Sequence, residues 1–302
     1  MARIFIIGSV NQDIVVNADR APRGGETVIA DGLQYHPGGK GANQAVGASL
    51  YSKLNNNDES SVTFIGRVGD DAFGRSLTDY LQTRGLNTQL TIEQDAPTGT
   101  AVIVVERDGE NRILVIPGAN GRVNEDDCQA LEELRSDDFV VAQCEIPLEA
   151  VRYAFSMARA VDATTILNVA PAVTLGSDWF ELIDVLVVNR SEFDIVFPTA
   201  KSGDLDSDLV KAHRESRCDI VLTLGEHGAI AISGGQIMRC EGIAVESVDS
   251  TGAGDCFVGA MVARLAAGEP LQVAIGFATR AAANSVTRRG ASESYPSCDQ
   301  LL

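Results

Sequence analysis

Residues 139–169 open on Phe139-Val-Val-Ala142, continue through Leu148-Glu-Ala-Val-Arg-Tyr-Ala-Phe-Ser-Met-Ala-Arg-Ala160 and close on Thr165-Ile-Leu-Asn-Val169. Two short, largely apolar and β-branched runs flank a segment of helical length. An apolar run without polar alternation suits a strand buried on both faces. Strand, helix and second strand in that order make the crossover unit of a parallel sheet. The same character recurs outward at Arg3–Ile7, Val62–Ile65, Val185–Val188 and Ile220–Leu224, and Val258–Ala267 reads as a further helix. The expected fold is α/β with a largely parallel central sheet.

Two segments break the alternation. Ala101–Val105 and Arg112–Ile116 flank Asp108-Gly109, a strong hairpin signal. Residues 13–36 read as strand and turn without a helix. Together they predict a small β-sheet attached to the main domain and placed as a lid. Ser52–Ser61 is a polar surface loop.

Charge and composition narrow the function. The 302-residue chain carries 42 acidic against 24 basic side chains, a net charge of −18. Such a field repels phosphate backbones, so nucleic acid is not an expected partner. A nucleotide site on this chain has to rest on local donors and a metal ion. The 6 cysteines form no C-x-x-C pair, which argues against a zinc site and a disulfide framework and for a reducing cytosol. The apolar run Ile4–Ile7 is too short for a signal-peptide core, and no stretch approaches the ~18 apolar residues of a membrane span. A soluble, cytoplasmic protein without a membrane partner is expected.

The strongest chemical signal is Asp249-Ser-Thr251-Gly252-Ala253-Gly254-Asp255, followed by the apolar Cys256-Phe257-Val258. Small residues let the backbone approach a ligand. A helix starting at Gly254–Asp255 would aim free N–H groups at an anion. A carboxylate in that turn can take a proton from an attacking hydroxyl beside a transferring phosphoryl group. The plainer reading of a bare G-x-G-D is a helix cap; the extended run with Asp at each end favours the anion hole.

Other signals are weaker alone. Gly38-Gly39-Lys40-Gly41-Ala42-Asn43-Gln44-Ala45 resembles a phosphate loop without its Lys-Ser/Thr ending, and suits a polyhydroxylated ligand or plain packing equally. Gly8-Ser9-Val10-Asn11-Gln12-Asp13 follows the first strand, where ligands of open α/β sheets lie, although an Asx turn explains it as well. Glu145, Asn168 and Asn189 follow successive strand ends and suggest a shared crevice. Glu192, at a probable helix start, either holds magnesium through water or complements the helix dipole. His36, His213 and His227 share no ligand spacing and read as surface residues; Cys256 reads as a small buried side chain.

In order along the chain, Gly8–Asp13, Gly25-Glu26-Thr27, Gly38–Ala45, Gly69-Asp70-Asp71, Thr98-Gly99, Gly118-Ala119-Asn120, Glu145, Asn168 with Ala170-Pro171-Ala172, Asn189 with Glu192, Thr223-Leu224-Gly225, Asp249–Asp255 and Thr287–Pro296 resemble the ribokinase family of sugar kinases, the PfkB-type carbohydrate kinases. The resemblance implies a three-layer α/β/α catalytic domain of residues 1–12, 38–92 and 119–302. Residues 13–37 and 93–118 would form a β-sheet lid that doubles as a homodimer interface. It implies ATP-dependent phosphorylation of D-ribose at the 5-hydroxyl, giving ribose 5-phosphate and ADP. A kinase for 2-deoxyribose, another sugar or a nucleoside is the alternative, and a silent sugar-binding protein on the same fold is a more distant one.

By the same resemblance, Asn11, Asp13, Gly39, Lys40, Gly41, Ala42, Asn43 and Glu145 hold the sugar. Asp255 is the general base, and the N–H groups of Gly252, Ala253 and Gly254 form the anion hole. Asn189, Thr223, Leu224, Gly225, Glu226, His227, Gly228, Gly254 and Thr279 contact the nucleotide. Glu192 helps place Mg2+ through water. Asp249, Thr251, Ser285, Arg288, Gly290 and Ser294 surround an activating K+, many through backbone oxygens. Asn11 favours ribose, since a relative acting on deoxyribose has an apolar residue there. Thr279 departs from the Asn or His common near the adenine, and the chain stops soon after Pro296, without the usual longer C-terminal helix.

Overall fold

The structure, a computed structural model, describes residues 2–52, 62–107 and 110–301. In chain order it contains β1 (Ile4–Ile7), β2 (Asn11–Asn17), β3 (Gly32–Gly38), α1 (Lys40–Ser52), β4 (Val62–Gly69), α2 (Ala72–Thr83), β5 (Asn87–Glu93), β6 (Gly99–Val105) and β7 (Asn111–Ile116). There follow β8 (Phe139–Gln143), α3 (Leu148–Ala160), β9 (Thr164–Asn168), β10 (Val185–Asn189), α4 (Arg190–Val196), α5 (Leu205–Ser216), β11 (Asp219–Thr223), β12 (Gly228–Ser233), β13 (Gln236–Glu241), α6 (Ala253–Ala266) and α7 (Leu271–Ser285).

The opening strand–helix–strand reading holds, with α3 on its expected bounds. It buries Ala150, Val151, Ala154, Phe155 and Ala158, a stripe at three- and four-residue spacing that lies on the sheet. The large sheet has 9 strands in the order β13-β12-β11-β10-β9-β8-β1-β4-β5. It is parallel from β5 to β11, and β12 and β13 close that edge antiparallel. Successive strand residues feed opposite cores. Ile4 and Ile6 pack with α1, α2, α6 and α7, whereas Phe5 and Ile7 pack with α3, α4 and α5. This is the expected three-layer arrangement.

The expected small sheet is present as four strands in the order β3-β2-β6-β7. Strands β6 and β7 pair antiparallel on either side of Asp108-Gly109; that turn, and residues 53–61 of the polar loop, lie outside the described residues. Register gives the sheet two distinct faces. Val16 pairs with Leu33 and Val104, and Val102 pairs with Leu114, so these apolar side chains share one face. Asp13, Val15, His36 and Ile103 share the other and line a cleft against residues 247–251 and 289–291 of the large domain.

Two readings need correction. Helix α6 starts at Ala253, ahead of both Gly254–Asp255 and Val258, with Gly252 as its N-cap at φ 74°. The glycine takes the left-handed conformation, so the turn tightens and the helix begins directly under the loop. Also, His36 and His213 are half-buried: Nδ1 of His36 lies 2.7 Å from Glu293 Oε2, and Nδ1 of His213 lies 2.7 Å from the Cys218 carbonyl. Only His227 is a surface side chain.

Candidate active site

Asp255 sits in the first turn of α6, with 7% of its surface exposed. Its Oδ2 accepts from Asn43 Nδ2 at 3.2 Å and its Oδ1 from Gln44 Nε2 at 3.0 Å, both donors lying on α1. Burial raises its pKa, opposed by the Lys40 ammonium and the two amide donors. Lys40 is correspondingly raised, first by Asp255 and further by Glu145, Glu192 and Asp13. One ammonium therefore faces a ring of carboxylates.

The backbone brings these groups together. Gly39, at φ 90°, passes so close to β1–β2 that a Cβ would lie 2.7 Å from Val10 Cα. That approach lets Ala42 N–H donate to the Ser9 carbonyl at 2.9 Å and sets α1 on the strand-end loop. Glu145 Oε2 accepts from Ser9 Oγ at 2.6 Å and from the Lys40 backbone N–H at 3.2 Å. Asp13, buried beside Glu145, is pushed up to about 7. Asn11 Oδ1 accepts from Asn120 Nδ2 at 2.7 Å, which leaves Nδ2 of Asn11 as a donor without a partner among the described residues. Asn43 Oδ1 is buried without a partner as well. Donors, acceptors and carboxylates thus converge on one polar recess beside Asp255.

A second cleft opens on the other side of the α6 N-terminus. Thr223, Gly225, Glu226, Gly228, Gly254 and Thr279 line it, together with Ile243, Ala244, Val245, Phe257, Ala282, Ala283 and Val286. Its apolar wall suits a flat aromatic ring, and its glycine-rich end meets the α6 N-terminus. The N–H groups of Gly252 and Gly254 have no partner among the described residues, whereas that of Ala253 donates to the Ser250 carbonyl at 3.2 Å. Asn189 and Glu192 cap α4 reciprocally: Glu192 N–H donates to Asn189 Oδ1 at 2.9 Å, and Asn189 N–H donates to Glu192 Oε2 at 2.7 Å. Burial raises Glu192, with Lys40 opposing.

Such a recess and cleft meeting at one carboxylate is what a phosphoryl transfer from nucleotide to alcohol requires, and the comparisons agree. Residues 1–298 match the family model described as pfkB family carbohydrate kinase. The chain belongs to the pfkB family of carbohydrate kinases. It is 37% identical to a ribokinase of Schizosaccharomyces pombe, over 98% of this chain and 96% of that one. It is 34% identical to a deoxyribokinase of Salmonella typhi, over 99% and 97%. A solved structure of Arabidopsis thaliana ribokinase complexed with ribose and ATP superposes with a TM-score of 0.87 at 27% identity, covering 100% of this chain and 98% of that one.

Within this pfkB fold, the site residues read from sequence divide into groups. Asn11, Asp13, Gly39–Asn43, Glu145 and Asp255 gather on the polar recess. Leu224 packs against the core and His227 is exposed, so neither lines the apolar cleft. Asp249 joins the residue-250 and residue-290 loops, accepting from Thr251 N–H and Gly290 N–H at 3.0 Å each. Ser285 and Ser294 are buried, their hydroxyls donating to the Ala282 and Ala291 carbonyls. The Arg288 guanidinium turns away to Gln300. Sequence reasoning assigned no role to Ser9, Gln44, Asn120, Gln143 or Tyr295, whose hydroxyl donates to the Gly252 carbonyl at 2.9 Å. Ser9, Gln44, Asn120 and Tyr295 lay within recognised runs but look ordinary there; Gln143 lay outside every run.

Proposed function

We propose that this chain transfers the γ-phosphoryl group of ATP to the 5-hydroxyl of D-ribose. The observation that carries the proposal is the position of Asp255, buried at the junction of the polar recess and the nucleotide-sized cleft, at the start of α6. In the reaction, Asp255 accepts the proton of the 5-hydroxyl. The sugar oxygen bonds to the γ-phosphorus as the bond to the β-phosphate oxygen breaks, and ADP departs. The free N–H groups of Gly252 and Gly254, with the α6 dipole, stabilise the charge on the transferring group. Ala253 N–H joins them only if its bond to Ser250 opens.

The sugar is held by Asn11, Asp13, Asn43 and Glu145, with the backbone of Gly39–Ala42 closing the recess. The open Nδ2 donor of Asn11 supports ribose over 2-deoxyribose, because a buried donor left unpaired penalises the analogue lacking its partner. The nucleotide occupies the cleft of Thr223, Gly225, Gly228 and Thr279. Among the described residues, no three His, Cys, Asp or Glu side chains gather as a direct metal site. Glu192 keeps one oxygen outside its cap bond and fits a water-mediated contact with Mg2+ carried on the nucleotide. Such an ion neutralises the phosphates and draws charge from the leaving group.

Residues 249–251 and 285–294 offer an oxygen-rich enclosure, with Asp249 held ionised: burial pushes its pKa up, but the Gly290 and Thr251 hydrogen bonds outweigh that. The set suits a hard monovalent cation such as K+, which adds positive field beside the anion hole. The apolar outer face of the small sheet supports a homodimer: Leu33, Tyr35 and Leu114 are 55%, 55% and 70% exposed there. All six cysteines are free, which supports a reducing compartment such as the cytoplasm. No described helix is long and apolar enough to cross a membrane.

The test is ADP formation from Mg-ATP with ribose, 2-deoxyribose, fructose or adenosine, with and without K+. Turnover selective for ribose and raised by K+ is expected, and Asp255→Ala should lower it by about 100- to 10,000-fold. Selectivity for another acceptor would change the substrate, and near-normal turnover of Asp255→Ala would remove the assigned base.

A further inference from the structure

Beneath Asp255 lies a chain of buried amides. Gln44 and Gln143 have no exposed surface, and Asn168 has 8%. Asn168 Nδ2 donates to the Val187 carbonyl at 3.2 Å. Gln44 Nε2 donates both to Asn168 Oδ1 and to Asp255 Oδ1, at 3.0 Å each. Gln143 Nε2 donates to Gln44 Oε1 at 2.7 Å. The chain joins the ends of β8, β9 and β10 to the first turns of α1 and α6.

Its direction is fixed at one end. A backbone carbonyl only accepts, so Val187 forces Asn168 to present Nδ2 to it and Oδ1 to Gln44. Gln44 must then turn its NH2 toward Asn168, and the second hydrogen of that NH2 falls on Asp255. A reversed Gln44 would set its carbonyl against two oxygens at once. Gln143 holds Gln44 from behind, and its own Oε1 is left buried without a partner. An unsatisfied buried carbonyl costs stability, so the arrangement favours the polarity of Gln44 at the expense of Gln143.

We propose that Gln44, locked by Asn168 and Gln143, is a positioning residue that keeps a permanent donor on Oδ1 of Asp255 and so holds the base ionised and in one rotamer. The proposal rests on Asp255 being the base. A buried carboxylate without that donor would bind its proton more tightly and lose the capacity to accept one from the sugar. Asn43 serves the other oxygen but lacks this anchorage: its own Oδ1 is unpaired.

The test is the pH dependence of kcat and kcat/KM for Gln44→Met, which keeps length and apolar bulk without the amide. We expect kcat to fall about 10- to 100-fold and the acid limb to move up by at least about one pH unit, as loss of a hydrogen bond to a charged group requires. KM for ATP should change less than threefold. Gln143→Met, which touches Asp255 nowhere, should move the limb in the same direction by a smaller amount. A folded Gln44→Met with an unmoved acid limb would overturn the proposal, whatever its turnover. If both variants fail to fold, the wild-type protein decides. The side-chain 15N signal of Gln44 should titrate with the acid limb and lose that titration in Asp255→Asn; an unchanging signal would overturn the proposal. Loss of all activity in Asp255→Asn beside a normal Gln44→Met profile refutes the relay alone, whereas an active Asp255→Asn refutes the base assignment.

Discussion

Replacing Gly259 with alanine tests whether the approach of two helices sets the chemistry. Gly259 lies on α6 where it crosses α1. A Cβ there would stand 2.5 Å from the Gln44 carbonyl oxygen, 2.8 Å from Ala48 N and 3.0 Å from the Gly47 carbonyl carbon. All three are backbone atoms, so no side chain can swing aside and the helices themselves must part. Reaching ordinary contact takes a separation of about 0.9 Å. The hydrogen bonds from Asn43 and Gln44 to Asp255 are 3.2 and 3.0 Å long; that movement, directed along them, takes both beyond hydrogen-bond length. Overpacking of this kind costs about 1–3 kcal/mol, or a fall of about 2–5 °C in Tm for a chain of this size. A misplacement near 1 Å at the reacting groups costs about 100-fold in kcat. Thermal melting and steady-state kinetics on the same preparations give both numbers. Gly47→Ala and Gly276→Ala are the controls, since the nearest atoms to their Cβ positions lie 3.5 and 3.9 Å away. Both should keep wild-type turnover, and Gly276→Ala, inside α7, should gain about 0.5–1 kcal/mol. Wild-type Tm and kcat in Gly259→Ala would refute the claim that this contact fixes the base.

Two further outcomes follow from charge and surface. Asp13 rises from 3.8 to about 7 on folding, so the native state holds a proton that the unfolded chain releases near pH 4, and stability at this site is lost as pH rises between those values. Asp13→Asn should therefore raise Tm relative to wild type at pH 8 but not at pH 4, while weakening sugar binding; an equal effect at both pH values would contradict the burial argument. Leu114→Glu places a charge on the exposed apolar face of the small sheet, on its edge strand β7, and should convert a dimer to monomer in sedimentation velocity without lowering Tm by more than a few degrees. A wild-type monomer, or a variant that still dimerises, would exclude that face as the interface.

Legibility in the sequence tracked how local each constraint is. Buried parallel strands declare themselves as apolar runs, and α3 was readable to the residue because its apolar stripe and flanking strands agree. The edges of the large sheet were not. Strand β5 (N-T-Q-L-T-I-E) is half polar, as suits an edge, while β12 is rich in alanine and β13 in polar residues. Gly234-Gly235, both at positive φ, was the signal that could have revealed the β12–β13 hairpin. At the site, the Asp249–Asp255 and Gly38–Ala45 runs are visible because close backbone approach demands glycine. The amide chain is invisible for the opposite reason: Gln44, Gln143 and Asn168 are common residues on separate elements, and only the order of β8, β9 and β10 makes them neighbours. The pairing of His36 with Glu293 across the cleft has the same origin.

The excess negative charge then acquires a mechanistic consequence. Lys40 faces Asp255, Glu145, Glu192 and Asp13, so the recess is net negative before any phosphate arrives. In a low-dielectric pocket that balance repels a bare triphosphate strongly. Free ATP should therefore be a poor ligand and the metal-chelated form the one that binds, because chelation removes charge before entry. The proposed anion hole, built from uncharged N–H groups and a helix dipole, would stabilise the transferring group without adding a cation that the carboxylates would capture in a salt bridge. Asp255 is thus left with a single ammonium partner and two amide donors, which oppose the burial that raises its pKa; in the proposed reaction that balance would let it take a proton from an alcohol.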